Sequence, residues 1–410
     1  MDLFGPGDPA RCGGHLALAQ LRRRYLQQLR LRWHQLRVTL SEGGVSRVVI
    51  TGVSCLTPAG LGLEPFRSAV AAGLPLGAAR EEPGRRQRPR PLRVAKMPAF
   101  DREKFLPARK LRRMGELSQI WTLVCLLARA DAGLDRDEAT GPSPERRGTF
   151  LGTGFGCTDT TWDYLAGMFQ DGMAAANPFL FSESVANAPA GHSAIELDAR
   201  GTCVTLTSGD ASAAAALAMA ALALEQERLD LAYCGGVELM TVPLLRALAA
   251  VGGPSFLGEG AACLVLETLH SATQRGARIL AEVAGFGMAS DSSATPSSWT
   301  THPEALKEVM ARALDSASRL DEGRPVKLGK VLLHACGCPA SDAAERDAAE
   351  AVCPGVPRIS LTPIFGTHAA AGGLALVAGA LEAEPAGQVL VNAHAWGGSA
   401  YSLVLRRFSG

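Results

Sequence analysis

The chain has 410 residues, of which 47% are hydrophobic and 20% charged, with a formal net charge of +1. That is enough apolar material for one large domain or two fused ones, and no charge-free apolar run reaches about 18 residues, which excludes a transmembrane helix. Residues 1–114 carry 22 Lys and Arg against 8 acids, whereas residues 115–410 carry 19 against 32. The basic residues fall in two blocks, LRRRYLQQLRLRWHQLR and RRQRPRPLR, without a nucleic-acid recognition motif. They read as solvated faces or as a docking surface for an acidic protein.

Residues 1–44 form an extension in which Leu18, Leu21, Tyr25, Leu29, Leu36 and Leu40 fall near helical spacing between arginines. The segment is either an amphipathic targeting or interface helix or a mobile appendage. The folded body begins at SRVVITGVSCLTPAGLGLEPFRSAV, which predicts strand, loop and helix. A loop over EEPGRRQRPRPLR follows, then a helix from about Lys110 to Ala132 and a strand from Arg147. Helical stretches near Thr160 to Met173 and Ser182 to Ile195 lead to RGTCVTLTSGDASAAAALAMAALAL, a strand, a tight turn at Gly209 and Asp210, and an alanine-rich helix. Strands at DLAYCGGVEL and GEGAACLVLETL complete a first half, residues 45–269.

Residues 270–410 repeat the plan more briefly, with strands at ARILAEVAGFGMAS, KVLLHACG, GQVLVNAHA and AYSLVLRRF around helices at PEALKEVMARALDSASRL and DAAERDAAEAV. Two α/β halves, each with a central strand–turn–helix, predict mixed sheets packed around central helices. No GxGxxG, GxxxxGK, HExxH or GxSxG motif is present, so dinucleotide, NTPase, zinc-protease and hydrolase chemistries lose support. The ten cysteines are scattered through apolar segments without a secretory signal, and read as reduced, buried small hydrophobes of a cytosolic protein. The spacing His334-Ala-Cys336-Gly-Cys338 has no second cluster beside it, so neither metal nor cofactor is expected.

Six segments in order, VVITGVSCLTPAG, GTGFGCTDTTWDYL, ANAPAGHSAIELDARGTC, FLGEGAACLVLETLHSATQRGARILAEVAGFG, HACGCPASDAAE and NAHAWGGSAYSLVLRR, resemble landmarks of β-ketoacyl synthases over residues 46–408. The resemblance implies a thiolase-like α/β fold, duplicated halves in a layered αβαβα arrangement. In that family the turn reads like R-G-P-C-x-T-V-D-T-A-C-S-S-S, and the second cysteine attacks the acyl thioester. Here Arg200, Gly201 and Cys203 match, and Asp210 stands where the nucleophile should be. A carboxylate there would have to form a mixed anhydride, uphill from a thioester, so Asp210 is expected as a helix N-cap.

The other positions agree in part. His334 matches the first histidine, with Pro339 and Asp342 in step. The stretch TPIFGTHAAAGG offers Thr362 for the lysine and Thr367 for the second histidine, although a slip of one residue would put His368 there. The loop ahead of GEGAA is only GGPS, shorter than the family's by well over ten residues, and Trp396 stands at the gating phenylalanine.

A family fold without its nucleophile resembles a chain-length factor, the inactive partner of an active ketosynthase in type II polyketide or polyene assembly on acyl carrier protein. That implies a cytoplasmic heterodimer paired through about Thr202 to Thr207, with Thr205 and Thr207 at the interface. Thr160, Thr161, Trp162, Met168 and Phe169 would then shape an acyl tunnel. Two alternatives stand beside it: a decarboxylase or acyltransferase of altered chemistry using His334 and Asp210, or a scaffold homodimer that docks carrier protein.

Overall fold

The structure, a computed structural model, describes residues 46–83, 89–134, 141–295 and 298–408; the extension expected over residues 1–44 lies outside them. From Arg47 onward the described chain forms one compact unit. Its strands are β1 (Val48–Thr57), β2 (Gly60–Leu61), β3 (Ala78–Pro83), β4 (Pro89–Ala95), β5 (Arg147–Gly152), β6 (Cys203–Leu206) and β7 (Leu231–Glu238). After these come β8 (Phe256–Gly258), β9 (Gly260–Thr268), β10 (Ala281–Ser290), β11 (Lys330–Leu333), β12 (Arg358–Ser360), β13 (Gln388–His394) and β14 (Ser399–Arg406). The helices that cover the sheet or carry the site are α1 (Glu116–Asp131), α2 (Thr158–Asp171), α3 (Ala188–Glu196), α4 (Ser212–Glu225), α5 (Val242–Val251), α6 (Pro303–Leu320), α7 (Pro339–Val352) and α8 (Ala371–Ala386).

The duplication is written in the strand order. One half runs β1-β9-β7-β5-β6 and the other β10-β14-β13-β11-β12, with the same sequence of antiparallel, antiparallel, parallel and parallel pairings. The first strand of each half carries an irregularity at matching places, Ile50/Gly52 and Val283/Gly285. Both glycines let a helix lie directly on the strand: a Cβ on Gly52 would stand 2.5 Å from the Ala128 carbonyl oxygen, and one on Gly285 2.4 Å from the Ala317 nitrogen. The two halves are not separate sheets. They join edge to edge where Val48, Val49 and Ile50 pair with Val283, Glu282 and Ala281.

Strand alternation sorts the core into layers. In β7, Ala232 and Cys234 face the centre while Leu231 and Tyr233 face outward under α1; in β13, Val389 and Val391 face the centre while Leu390 faces outward. The central layer is α4 and α8, apolar all round and enclosed by both halves, as a helix without a polar stripe must be. The outer layers are α1 with α3 on one side and α6 with α7 on the other, giving αβαβα.

Three expected elements differ. The two ends of EEPGRRQRPRPLR, expected as a loop, are strands: β3 and β4 pair antiparallel and join β8 in a small second sheet, while residues 84–88 lie outside the described residues. The arginines of these strands have partners: Arg90 donates to the carbonyls of Leu248 and Gly253 at the end of α5, Arg80 pairs with Glu82 and Arg93 lies over the Phe256 ring. The helix expected from Lys110 starts with a separate turn, Ala108–Leu111, and becomes continuous only at Glu116. That expected from Ser182 breaks into Pro178–Glu183 and α3, because Pro189 sits in the first turn of the second piece.

Candidate functional site

The turn after β6 delivers Asp210. Gly209 takes φ +54°, a left-handed conformation that glycine accepts without strain, and starts the short turn Gly209–Ala211 ahead of α4. Gly152 and Gly236 let α4 approach the sheet: a Cβ on Gly152 would stand 2.3 Å from Ser212 backbone and one on Gly236 2.8 Å from Ala213 Cβ. The expected capping role is not filled by a side chain, and Ser212 braces the turn instead. Ser212 Oγ accepts from the Ser208 N–H at 2.9 Å and donates to the Gly209 carbonyl at 2.6 Å, while no bond from Asp210 to a first-turn N–H is present.

Asp210 instead accepts a hydrogen bond from Thr367 Oγ1 at 3.2 Å. Thr367 is held in place by backbone bonds to β8, its N–H to the Phe256 carbonyl at 3.0 Å and its carbonyl from the Gly258 N–H at 3.1 Å. That docking fixes the register: Thr367 reaches Asp210, and the His368 ring packs on β8 and β9, where a Cβ on Gly260 would stand 2.5 Å from its Cε1. The His368 ring nitrogens have no hydrogen-bond partner, and burial pushes its pKa down to about 3.

Asp210 has one edge open to a cavity of about 200 Å³, while its carboxyl is surrounded by protein. Burial pushes the pKa up to about 6, against the downward pull of Thr367 and His394. Behind it, Glu238 at the end of β7 accepts from the N–H groups of Gly154 at 2.7 Å and Phe155 at 3.2 Å. Burial, with the Asp210 charge adding to it, raises Glu238 to about 8.

A second cluster lies at the ends of β11 and β13. The His334 and His394 rings meet at 4.8 Å, and Trp299 packs against both, at 5.9 and 5.5 Å, and against Trp396 at 5.9 Å. Glu345 on α7 accepts from the N–H groups of His334 and Ala335, both at 2.9 Å, and lies 3.5 Å from His394 Nε2. Burial pushes the Glu345 carboxyl up, but His394, His334 and the N–H donors outweigh it and hold it at about 2. His334 goes down to about 3, first through burial and then through His394, although Glu345 pulls the other way. Thr362, where the resemblance would place a lysine, donates to the His334 carbonyl at 2.5 Å. Ala335 takes φ +47°, a strained conformation for alanine that Glu345 pins by its N–H.

The residues expected near a tunnel or interface divide by exposure. Thr160 is buried, Thr161 donates to the carbonyls of Cys157 and Ser184, Met168 and Thr205 are half-buried, and Trp162, Phe169 and Thr207 are exposed. Trp396 is half-buried on the turn Trp396–Gly398 and lines the cavity. Glu238, Glu345, His394 and Trp299 are members of the site that the sequence reading missed. Glu238 stood out as a charge in the apolar stretch CGGVELMTV, while nothing local marks Glu345, His394 or Trp299.

The chemistry open to this site is narrow. It presents a carboxyl of raised pKa, a hydroxyl and buried imidazoles, without a thiol on the helix turn. Among the described residues no cluster of His, Cys, Asp or Glu could hold a metal ion, and no helix is long and apolar enough to cross a membrane.

A duplicated αβαβα body with its strand–turn–helix aimed at paired loops from the second half defines the class of thiolase-like acyl-condensing enzymes. Residues 45–255 match the β-ketoacyl synthase N-terminal domain and residues 280–394 the β-ketoacyl synthase C-terminal domain, and the chain belongs to the β-ketoacyl synthase family. It is 26% identical to 3-oxoacyl-(acyl-carrier-protein) synthase 2 of Coxiella burnetii over 327 residues, 73% of this chain and 75% of that protein. It is 28% identical to a putative polyketide β-ketoacyl synthase 1 of Streptomyces virginiae over 330 residues, 72% of this chain and 74% of that protein. Its fold also matches the solved ishigamide ketosynthase/chain length factor with a TM-score of 0.76 at 22% identity, covering 89% of this chain and all of the other.

Proposed function

We propose that this chain is the non-catalytic, chain-length-determining subunit of a heterodimeric β-ketoacyl-ACP synthase in type II polyketide, polyene or related fatty-acid-like synthesis. The observation that carries the reading is the Asp210–Thr367 contact: the turn that would present a thiolate presents a carboxyl, and its partner is a hydroxyl. Condensation needs a nucleophile that exchanges with a thioester and imidazoles that converge on the carbonyl. Support for a partner comes from the surface. Among the described residues β6 is an edge strand paired with β5, and on the segments between β5 and β6 the side chains of Trp162, Phe169, Met173, Phe181 and Ile195 are 56 to 87% exposed. Tyr164 of α2 packs on Phe181 at 5.7 Å, and Lys110 ties the preceding segment to Glu196 of α3 at 2.5 Å, so these apolar side chains stand on connected elements. An unpaired edge beside large exposed apolar side chains is a surface that another chain covers. Thr160, Thr161 and Met168, under that face, would then border the tunnel of the active subunit.

The test is co-expression with a ketosynthase that keeps its cysteine, purification through a tag on this chain, and assay for elongation with malonyl carrier protein. An active one-to-one complex that keeps its rate in Asp210→Ala and falls apart in Phe169→Glu supports the reading. A second reading has one observation in its favour: an acid titrating near 6 could move a proton at neutral pH, as an altered decarboxylase using Asp210 with His334 requires. Thioester turnover by this chain alone, abolished in Asp210→Ala, would replace the first reading with that one.

A further inference from the structure

The cavity beside Asp210 is apolar over most of its wall, with Phe155, Met240, Leu248, Pro254, Leu257 and Trp396 lining it. At about 200 Å³ it exceeds the ~150 Å³ apolar cavity that admits a benzene ring. Its polar end has an unusual composition. Asp210 receives one hydrogen bond, from the neutral Thr367. Glu238, 1% exposed, stands directly behind the wall: it accepts from the N–H groups of the lining residues Gly154 and Phe155, and a Cβ on Gly154 would come within 2.9 Å of its Oε2. Its Oε1 has no hydrogen bond of ordinary geometry. The groups that act most strongly on these two carboxyls include no lysine or arginine; His394 is the basic side chain that bears on Asp210. A desolvated carboxylate without a positive partner is costly, and an occupant that brings the charge removes that cost.

We propose that this cavity is a binding site for a small organic cation, a primary ammonium on a compact apolar or aromatic body, with Asp210 and Thr367 holding the ammonium. An –NH3⁺ group donates three hydrogen bonds, which matches a carboxylate and a hydroxyl oxygen set side by side. The body fills the space between Phe155 and Trp396, whose ring faces attract a cation. Asp210, ionised above about pH 6, repels an anion, so a carboxylate of the same shape is rejected. The inference rests on the reading of Asp210 as a residue that forms no acyl intermediate. It goes beyond that reading by giving the vacated turn a ligand of its own.

The experiment is calorimetric titration of the full-length chain with three probes of one shape, benzylamine, benzyl alcohol and benzoate, at pH 7.5. Benzylamine is expected to bind at least tenfold more tightly than benzyl alcohol, and benzoate to give no heat. Asp210→Asn should bring benzylamine down to the level of the alcohol, and Leu248→Trp, which fills the cavity, should remove both; circular dichroism on each variant confirms that it is folded. Equal binding of amine and alcohol, amine binding unchanged in Asp210→Asn, or no binding of any probe overturns the proposal. Neither reading is hidden by the other: the elongation assay uses no amine, and the titration uses no partner or thioester.

Discussion

Thr367 donates its hydroxyl to Asp210 Oδ2 at 3.2 Å, between residues 157 apart in the chain. The contact joins the loop that follows β12 to the turn that precedes α4, where the resemblance to ketosynthases would place imidazole beside thiol. It brings a carboxyl from one half and a hydroxyl from the other to a single point.

Restoring the thiol alone should therefore not restore catalysis. In Asp210→Cys the sulfur would sit on a helix turn facing Thr367, with no base to take its proton. Mass spectrometry should show alkylation by iodoacetamide, and self-acylation from an acyl carrier protein about 100-fold slower than in the Asp210→Cys, Thr367→His pair. Equal acylation of the two variants would mean that residue 367 does not face the nucleophile position.

The raised Asp210 pKa predicts a pH signature. The folded state keeps its proton up to about 6, whereas the unfolded chain releases it near 4, so between those values the folded state binds more protons and stability falls as pH rises. Asp210→Asn should gain on the parent protein through this window, by on the order of 2 kcal/mol once the open edge of Asp210 is allowed for, and the difference should level off above pH 7. Urea unfolding at pH 4 to 7.5 measures it. A constant difference across the range would show that Asp210 titrates normally.

The paired glycines of the first strands should be intolerant of a methyl group. Gly52→Ala and Gly285→Ala each press a Cβ to about 2.5 Å from helix backbone, and a loss of about 3 kcal/mol or failure to fold is expected for either. Gly167→Ala on α2 is the control: nothing stands within 4 Å of its Cβ, and the change should stabilise by about 0.5–1 kcal/mol.

Glu345 should prove structural. It holds two backbone N–H groups, pins the strained Ala335 and faces His394 from a fully buried position. Glu345→Ala should cost about 3 kcal/mol by chemical denaturation at pH 7, because the donors are left unpaired in the interior. The contribution is present above the ordinary glutamate pKa and is lost as pH falls through about 2, so the parent and variant curves should converge on the acid side.

Much of this was readable along the chain. Near-continuous apolar runs marked most strands of the main sheet, the helical stripe of α6 was plain, and the match of Arg200, Gly201 and Cys203 placed Asp210 on the turn. Local pattern succeeds there because a strand covered by helices on both faces needs apolar residues at successive positions, whichever partner supplies the burial. It failed at β3 and β4, where Arg90 is satisfied by backbone some 160 residues away, and at Asp210, expected as a cap but turned to Thr367 on a distant loop.

The linear order of residues thus decided the family fold and the duplicated plan and set an aspartate on the turn ahead of α4, since each is a matter of residue type at a position in a local pattern. Folding decided which groups meet that turn. The docking of Thr367 on β8 chose a hydroxyl over the adjacent imidazole, β7 set Glu238 behind Asp210, and the convergence of β11, β13 and α7 gathered His334, His394 and Glu345 into the second cluster. Contacts of that kind depend on strand register and helix approach across the whole chain, and a shift of one residue would have reversed them.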